Sequence, residues 1–202
     1  KALESGRRYH WQVRVWDGGG TASAWSATAW WEMGLLDPSD WKASWIEPGL
    51  PEDVTKSGPV PLLRREFKLN GPVARARAYV TSHGLYGLHL NGRRVGDQLF
   101  TPGWTSYNKR LQYQTYDVTP LLKAGDNAVG VELGNGWYRG NLPGGVDRRN
   151  VYGDRLALHV LLGLDLEVAE RRPALDAPVD EARGAVDQPL FVEAHEDLAH
   201  RP

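Results

Sequence analysis

Two glycine-flanked loops hold the residues best suited to bind a ligand. Gly103-Trp104-Thr105-Ser106-Tyr107 is the first, and Gly134-Asn135-Gly136-Trp137-Tyr138-Arg139-Gly140-Asn141 is the second. Aromatic rings offer flat apolar faces to the C–H side of a sugar, and planar amide and guanidinium groups hydrogen-bond its hydroxyls. The pattern predicts a carbohydrate contact made by Trp104, Tyr107, Asn135, Trp137, Tyr138, Arg139 and Asn141. The alternative is that these rings pack against a neighbouring domain, since buried aromatics outnumber ligand platforms.

The acidic residues and histidines lack a spacing that indicates catalysis or metal binding. Two carboxyl groups about 5–9 Å apart could hydrolyse a glycoside, but nothing in the sequence brings two of the acids near strand ends together. We interpret these acids as turn and ion-pair residues: Asp97, Asp117, Glu132 and Asp154. His83 and His89 do not have the spacing of a helical metal-ligand pair, and the chain has no cysteine. We therefore assign no catalytic residue, no metal and no cofactor.

Strands with alternating apolar and polar residues must position the two loops. Leu63, Phe67 and Leu69 alternate with charged residues, and the segment 85–90 leads into Asn91-Gly92, a strong hairpin signal. The alternation is longest from Leu156 to Val168, where every second residue is Leu or Val. Frequent short strands separated by Gly, Pro and Asn turns predict an all-β, antiparallel, jelly-roll-like β-sandwich over residues 62–168.

The residues outside this sandwich divide into three further segments. Residues 1–35 predict a hairpin around the turn Asp17-Gly18-Gly19-Gly20, and a hairpin cannot bury its own apolar face. Residues 36–61 are predicted to form a connector in which Trp45 and Ile46 make a short buried strand. Residues 169–202 lose the alternation and nearly all aromatics, which predicts an irregular or disordered tail; a helix over 190–200 is the alternative.

Composition excludes several classes of protein. The chain has 24 basic and 25 acidic residues among 202, so it has no electrostatic footprint for nucleic acid. It has no apolar run of the ~20 residues that span a bilayer, so we expect no membrane partner. The absence of cysteine excludes a disulfide scaffold but leaves the cellular compartment open.

A series of motifs over residues 9–168 resembles the amino-terminal β domain of bacterial α-L-rhamnosidases of glycoside hydrolase family 78. The motifs are Trp41-Lys42-Ala43-Ser44-Trp45-Ile46, Leu88-His89-Leu90-Asn91-Gly92-Arg93-Arg94-Val95-Gly96-Asp97, Pro102-Gly103-Trp104-Thr105-Ser106-Tyr107, Tyr113-Gln114-Thr115-Tyr116-Asp117-Val118-Thr119, Gly134-Asn135-Gly136-Trp137-Tyr138-Arg139-Gly140 and Tyr152-Gly153-Asp154-Arg155. Residues 9–33 are similar to the end of the fibronectin-III-like domain that commonly precedes this module.

The resemblance implies that catalysis lies outside this chain. In the family, an (α/α)6 barrel holds the acid and base that hydrolyse terminal L-rhamnose with inversion, and this sequence has no helical repeats for such a barrel. The implied role is a non-catalytic β-sandwich that packs on the barrel and shapes its cleft, with a rhamnosylated glycoside as a further partner. The alternatives are a carbohydrate-binding module with Trp104 and Trp137 as platforms, and a scaffold without ligand contact.

Overall fold

The computed structural model describes residues 2–145, 147–166 and 193–194, and all pairings among its strands are antiparallel. Within these described ranges, helix is limited to the 3-10 turns Pro38–Asp40 and Thr119–Leu121 and the short α1, Gly136–Arg139. The strands are β1 (Arg8–Trp11), β2 (Ala29–Glu32), β3 (Leu62–Leu69), β4 (Val73–His83), β5 (Leu85–Leu90), β6 (Arg93–Arg94), β7 (Gln114–Asp117), β8 (Gly125–Gly134), β9 (Ala157–Leu166) and β10 (Glu193–Ala194). This architecture confirms the predicted all-β fold.

The chain divides into two compact units, Lys1–Lys42 and Ala43–Pro202. The first unit is a hairpin in which β1 pairs with β2 and Tyr9 lies opposite Trp31. At its turn the Asp17 carboxylate accepts hydrogen bonds from the backbone N–H groups of Gly19 and Thr21, as the Asp-Gly-Gly-Gly sequence predicted. Between the strands and the turn, the Ser23 hydroxyl accepts a hydrogen bond from the backbone N–H of Val15, and the Ser26 hydroxyl accepts one from Val13. These side-chain bonds replace ladder bonds, so the strands are shorter than the alternation suggested.

The second unit is a sandwich of two sheets. One sheet has the strand order β10-β3-β8-β5-β6 and the other has the order β7-β4-β9. The Asn91-Gly92 turn joins β5 to β6, and both turn residues have positive φ, at 52° and 76°. The two sheets enclose one apolar core, whose fully buried side chains include Leu63, Val80, Leu90, Val118, Val129, Leu133, Leu158 and Val160.

Strands β4 and β9 bury residues on both faces, which the alternation did not predict for β9. Leu158 and Val160 face the core, but Ala157 and His159 on the other face are also buried. His159 Nε2 lies 2.8 Å from the carbonyl oxygen of Ala43, so the start of the second unit covers this face.

The predicted buried strand at Trp45 and Ile46 is wrong in part. Ile46 makes only an isolated bridge to Leu158, and Trp45 is 44% exposed. The predicted tail, residues 169–202, lies outside the described residues except for β10, which pairs with β3. The segment boundaries at residues 35, 61 and 168 stay predictions.

Candidate functional site

The second predicted loop is fixed by a strand-to-helix turn at the end of β8. Gly136 has a φ of 51°, and a Cβ atom there would collide with the Leu85 side chain. A glycine is therefore needed for α1 to begin immediately after the strand. This turn places Trp137 and Tyr138 on α1 beside the first loop.

The outer part of the site is a group of three rings that we call the aromatic platform: Phe100, Trp104 and Trp137. The indoles of Trp104 and Trp137 are parallel, with centroids 5.8 Å apart and planes 4° apart. Phe100 meets Trp137 edge-on at 5.9 Å. Trp104 is 49% exposed and its Nε1 donates to the Tyr152 hydroxyl at 3.3 Å, which fixes the ring in place. The platform offers apolar ring surface to solvent in a fixed orientation.

Beneath the platform, further rings form a continuous aromatic row: Trp45, His83, Tyr107, Tyr138 and Tyr152. Tyr107 packs edge-on against Tyr138 at 5.3 Å and against Tyr152 at 5.0 Å. Tyr138 stacks on His83 at 4.6 Å, and His83 stacks on Trp45 at the same distance. The hydrogen bond from Trp104 to Tyr152 links the platform to this row.

Burial changes the acid–base properties of this row. Burial, with a smaller effect from the neighbouring Tyr152, raises the pKa of Tyr107 to about 12. Burial, and then the charge of Asp154, raises the pKa of Tyr138. Burial lowers the pKa of His83, against an opposite effect of the Glu47 carboxylate. These three rings are therefore neutral at neutral pH, and both tyrosines act as packing groups.

Arg139 is the most fully engaged of the predicted polar residues. Arg139 is only 4% exposed. Its Nη1 and Nη2 donate hydrogen bonds to the two carboxylate oxygens of Glu52, at 2.5 and 2.8 Å. Nε and Nη2 also donate to Asn135 Oδ1 at 2.9 and 2.7 Å, and Nη1 donates to the Asp154 carbonyl at 3.1 Å. These contacts use all five N–H donors of a guanidinium. Arg139 thereby joins α1 to the loop around residue 52.

The structure gathers six of the seven predicted residues into one region. Trp104 contacts Trp137, Tyr107 contacts Tyr138, and Asn135 contacts Arg139. Asn141 is exposed, and its Oδ1 accepts the backbone N–H of Arg148 at 3.1 Å in the adjoining loop. Tyr107, Tyr138 and Arg139 are buried, so solvent reaches the gathered residues mainly at Trp104, and less at the half-buried Asn135 and Trp137.

Sequence reasoning missed Phe100, Tyr152, His83 and Glu52. Tyr152 is next to a glycine, as Trp104 and Trp137 of the predicted loops are, so its signal was present. Phe100 lies between Leu99 and Thr101 without a glycine neighbour. Glu52 is 87 positions from its partner Arg139, and sequence spacing gives no means to pair them.

Among the acids near strand ends, Asp117 has side-chain contacts of its own, whereas Arg155, next to Asp154, pairs with Glu47. Asp117 accepts from Arg77 at 2.9 Å and from the Thr119 hydroxyl at 2.6 Å, which confirms its predicted turn role. Among the described residues, no group of three or more His, Asp or Glu side chains is arranged to hold a metal ion. Within the same part of the chain no helix has the length and apolar character needed to cross a membrane.

This geometry is that of an antiparallel β-sandwich with an aromatic loop site, and comparison with known proteins identifies its family. Residues 71–175 match the family described as "Alpha-L-rhamnosidase N-terminal domain". Residues 1–37 match the family described as "Rha78A-like, N-terminal immunoglobulin domain", where the sequence resemblance pointed to a fibronectin-III-like domain. The chain belongs to the family of α-L-rhamnosidase N-terminal domains.

Individual relatives agree with this assignment. An α-L-rhamnosidase of Formosa agariphila is 43% identical over 150 residues, which are 70% of this chain and 16% of that protein. The native α-L-rhamnosidase structure from Aspergillus terreus has a TM-score of 0.75 at 41% identity, covering 80% of this chain and 19% of that one. The α-L-rhamnosidase structure from Dictyoglomus thermophilum has a TM-score of 0.68 at 32% identity, covering 83% of this chain and 19% of that one. The chain thus spans less than a fifth of the length of these relatives.

Proposed function

We propose that this chain is a non-catalytic β-sandwich portion of an α-L-rhamnosidase, which hydrolyses terminal L-rhamnose from glycosides. In this proposal it packs on a catalytic (α/α)6 barrel elsewhere in the longer protein and shapes the entrance to the barrel's cleft. Family membership supports it, together with the small share of each relative that the chain covers. Asp117, one of the acids that we considered for catalysis, also has structural contacts with Arg77 and Thr119.

The observation that carries the proposal is the exposed but rigid aromatic platform. Phe100 is 64% exposed and Trp104 is 49% exposed, although the row beneath them is packed. Exposed apolar surface that is held in place marks an interaction site, and aromatic residues are enriched at the centres of protein interfaces. We therefore assign the platform to the surface that meets the barrel and borders the substrate.

A hydrolysis assay on the purified chain tests the non-catalytic role. With an aryl α-L-rhamnoside as substrate we expect no turnover above the blank. Turnover that is abolished by Glu132→Gln or Asp154→Asn would overturn the proposal, since it would place an acid of the reaction within this chain. Asp97→Asn serves as a matched control that removes a carboxylate in the same way.

The alternative function is a carbohydrate-binding module that uses the platform for stacking. The parallel arrangement of Trp104 and Trp137 favours it, because a sugar ring can pack on a fixed indole face. Titration with L-rhamnose, followed by Trp fluorescence, separates the two functions. Saturable binding that disappears in both Trp104→Ala and Trp137→Ala would favour the module, whereas binding that survives both changes would argue against it.

A further inference from the structure

A second concave site lies on the outer face of the larger sheet, away from the core. It is a cleft of about 400 Å³ over strands β5, β6 and β8. Its side-chain walls are Val60, Leu85, His89, Arg94, Phe100 and Glu132, and its floor includes the backbone of Gly87 and Gly134. Clefts of about 300–1,000 Å³ are the usual size for small-molecule sites. We call it the sheet cleft.

The depth of the cleft comes from how side chains pair across the two central strands. Leu85 lies opposite Gly134, Glu132 opposite Gly87, and His89 opposite Gly130. In the first two pairs both residues line the cleft, so each combines one wall with one open position; Gly130 adjoins the cleft at His89. The backbone at these glycines does not require glycine, because none of the three has a positive φ.

At Gly130 and Gly134 no side chain of the described sheet occupies the open position. A Cβ atom added at Gly130 or Gly134 would meet only one backbone oxygen, at 4.0 Å. At Gly87 an added Cβ would lie 3.1 Å from Glu132 Oε2, so the glycine lets the Glu132 carboxylate extend over the floor. Glycine weakens the interior of a strand, and there it often marks close approach by a ligand.

The polar groups of the sheet cleft define the chemistry of its ligand. Glu132 supplies a carboxylate acceptor, His89 supplies an imidazole, and Arg94 supplies planar donors from a side chain held by a bond to the Gln98 carbonyl at 2.9 Å. An anion would be repelled by Glu132 and a cation by Arg94. A purely apolar ligand would leave these groups without partners. A neutral compound with several hydroxyls can bond to all three.

The apolar walls fit the C–H face of such a compound. Phe100 has a φ of 58°, a strained region for a bulky residue, and its ring is 64% exposed. Strain of this kind concentrates at ligand-binding positions. Leu85 and Val60 provide further apolar surface on the cleft.

We infer that the sheet cleft binds a neutral saccharide of one or two units. Glu132, His89 and Arg94 contact its hydroxyls, and Phe100 and Leu85 contact its ring carbons. The sheet cleft shares Phe100 with the aromatic platform, but neither Trp104 nor Trp137 lines it. Because Phe100 also touches Trp137, a saccharide in the cleft lies next to the platform.

The test is a ¹H–¹⁵N NMR titration of the full chain with L-rhamnose and with the disaccharide α-L-rhamnosyl-(1→6)-D-glucose. We expect saturable shifts at the backbone amides of Gly87, Gly130 and Gly134, with a dissociation constant of about 1 mM, as befits a small polar ligand in an open site. Gly134→Val fills an open position of the cleft with a residue that strands favour, and should weaken binding at least tenfold. Gly58→Ala, at a position with nothing within 4 Å, is the folding-neutral control.

Further variants separate the cleft from the platform. Glu132→Gln should weaken binding while the spectrum of the fold is retained, and Trp104→Ala should leave binding in the cleft unchanged. The inference is overturned if the three glycine amides do not shift with either sugar, if Gly134→Val binds normally, or if Trp104→Ala alone abolishes the shifts. None of these outcomes bears on hydrolysis, so the proposed function stands or fails separately.

Discussion

At the scale of single residues, Arg139 shows how burial decides the role of a polar side chain. Sequence placed it among candidate sugar contacts because a guanidinium can bind hydroxyls. In the structure its donors are instead directed at Glu52, Asn135 and the Asp154 backbone. Residue type could be read from the sequence, but the partners come from segments distant in the chain and only the fold brings them together.

Replacing Arg139 with lysine should therefore destabilise the second unit. Lysine keeps the charge but loses the planar fork and several of the bonds, so we expect the free energy of unfolding to fall by about 2–4 kcal/mol. Arg155→Lys is the matched control, since Arg155 also pairs with a distant glutamate, Glu47, but its side chain is 75% exposed. That change should cost under about 1 kcal/mol. Equal losses in urea unfolding of the two variants would contradict the structural role of Arg139.

At the scale of elements, the strands were predictable and the contacts of their outer faces were not. Alternation located β3, β5, β8 and β9 because a sandwich strand must show one face to the core. It failed for the outer face of β9, where Ala157 and His159 are buried by residues from the connector. It failed likewise for the aromatic row, which assembles rings from five separate segments. Local pattern carries no information about such contacts.

A substitution at Gly153 tests how tightly the elements around the aromatic row are packed. A Cβ atom at this position would collide with the Tyr138 hydroxyl and ring, although the backbone itself has no positive φ. We expect Gly153→Ala to displace Tyr138 from His83 and lower stability by about 1–3 kcal/mol. Gly58→Ala should change stability by no more than about 0.5 kcal/mol. A thermal unfolding series compares the two, and an unchanged midpoint in Gly153→Ala would refute the packing.

The His83 stack makes stability depend on pH. Burial lowers the pKa of His83 below its ordinary value of 6.5, and burial also lowers that of His159. The unfolded chain then binds more protons than the folded one from about pH 6.5 downward, so stability should fall as the pH drops through that window. Carboxylates such as Asp53, whose pKa a Thr55 hydrogen bond lowers from 3.8, contribute only at more acid pH.

Unfolding by urea between pH 7.5 and about pH 5 measures this dependence. His83→Phe keeps a ring between Trp45 and Tyr138 but cannot titrate, and should reduce the slope. A slope of equal size in this variant would show that His83 does not contribute.

At the scale of the whole molecule, the two units differ in how they protect apolar surface. The second unit has a closed core, whereas the first exposes Trp11, Trp16, Trp25 and Trp30 by about half of their surface. The sequence predicted this difference, because a hairpin cannot bury its own face. It could not predict the Arg14 guanidinium lying over both Trp16 and Trp25, at 4.9 and 4.7 Å from the ring centroids.

We expect this exposed tryptophan surface to make the chain self-associate as its concentration rises. Sedimentation velocity over a concentration series should show the weight-average mass increasing. Trp11→Ser should weaken association, while His10→Ser, at the exposed neighbouring position of β1, should not. A monodisperse monomer at every concentration would contradict the expectation.

The aromatic row also bears on how fast the protein folds and unfolds. Its rings lie at positions 45, 83, 107, 138 and 152, so they meet only after long loops have closed. Since loop closure costs entropy before such contacts can stabilise the fold, we expect the row to form late, after the rate-limiting barrier. A substitution such as Tyr107→Leu should then accelerate unfolding severalfold and leave the refolding rate nearly unchanged. Stopped-flow measurements of both rates test this. Slower refolding of the variant would instead show that the row is already formed in the folding nucleus. The row would then set the height of the unfolding barrier, and with it the lifetime of the native state.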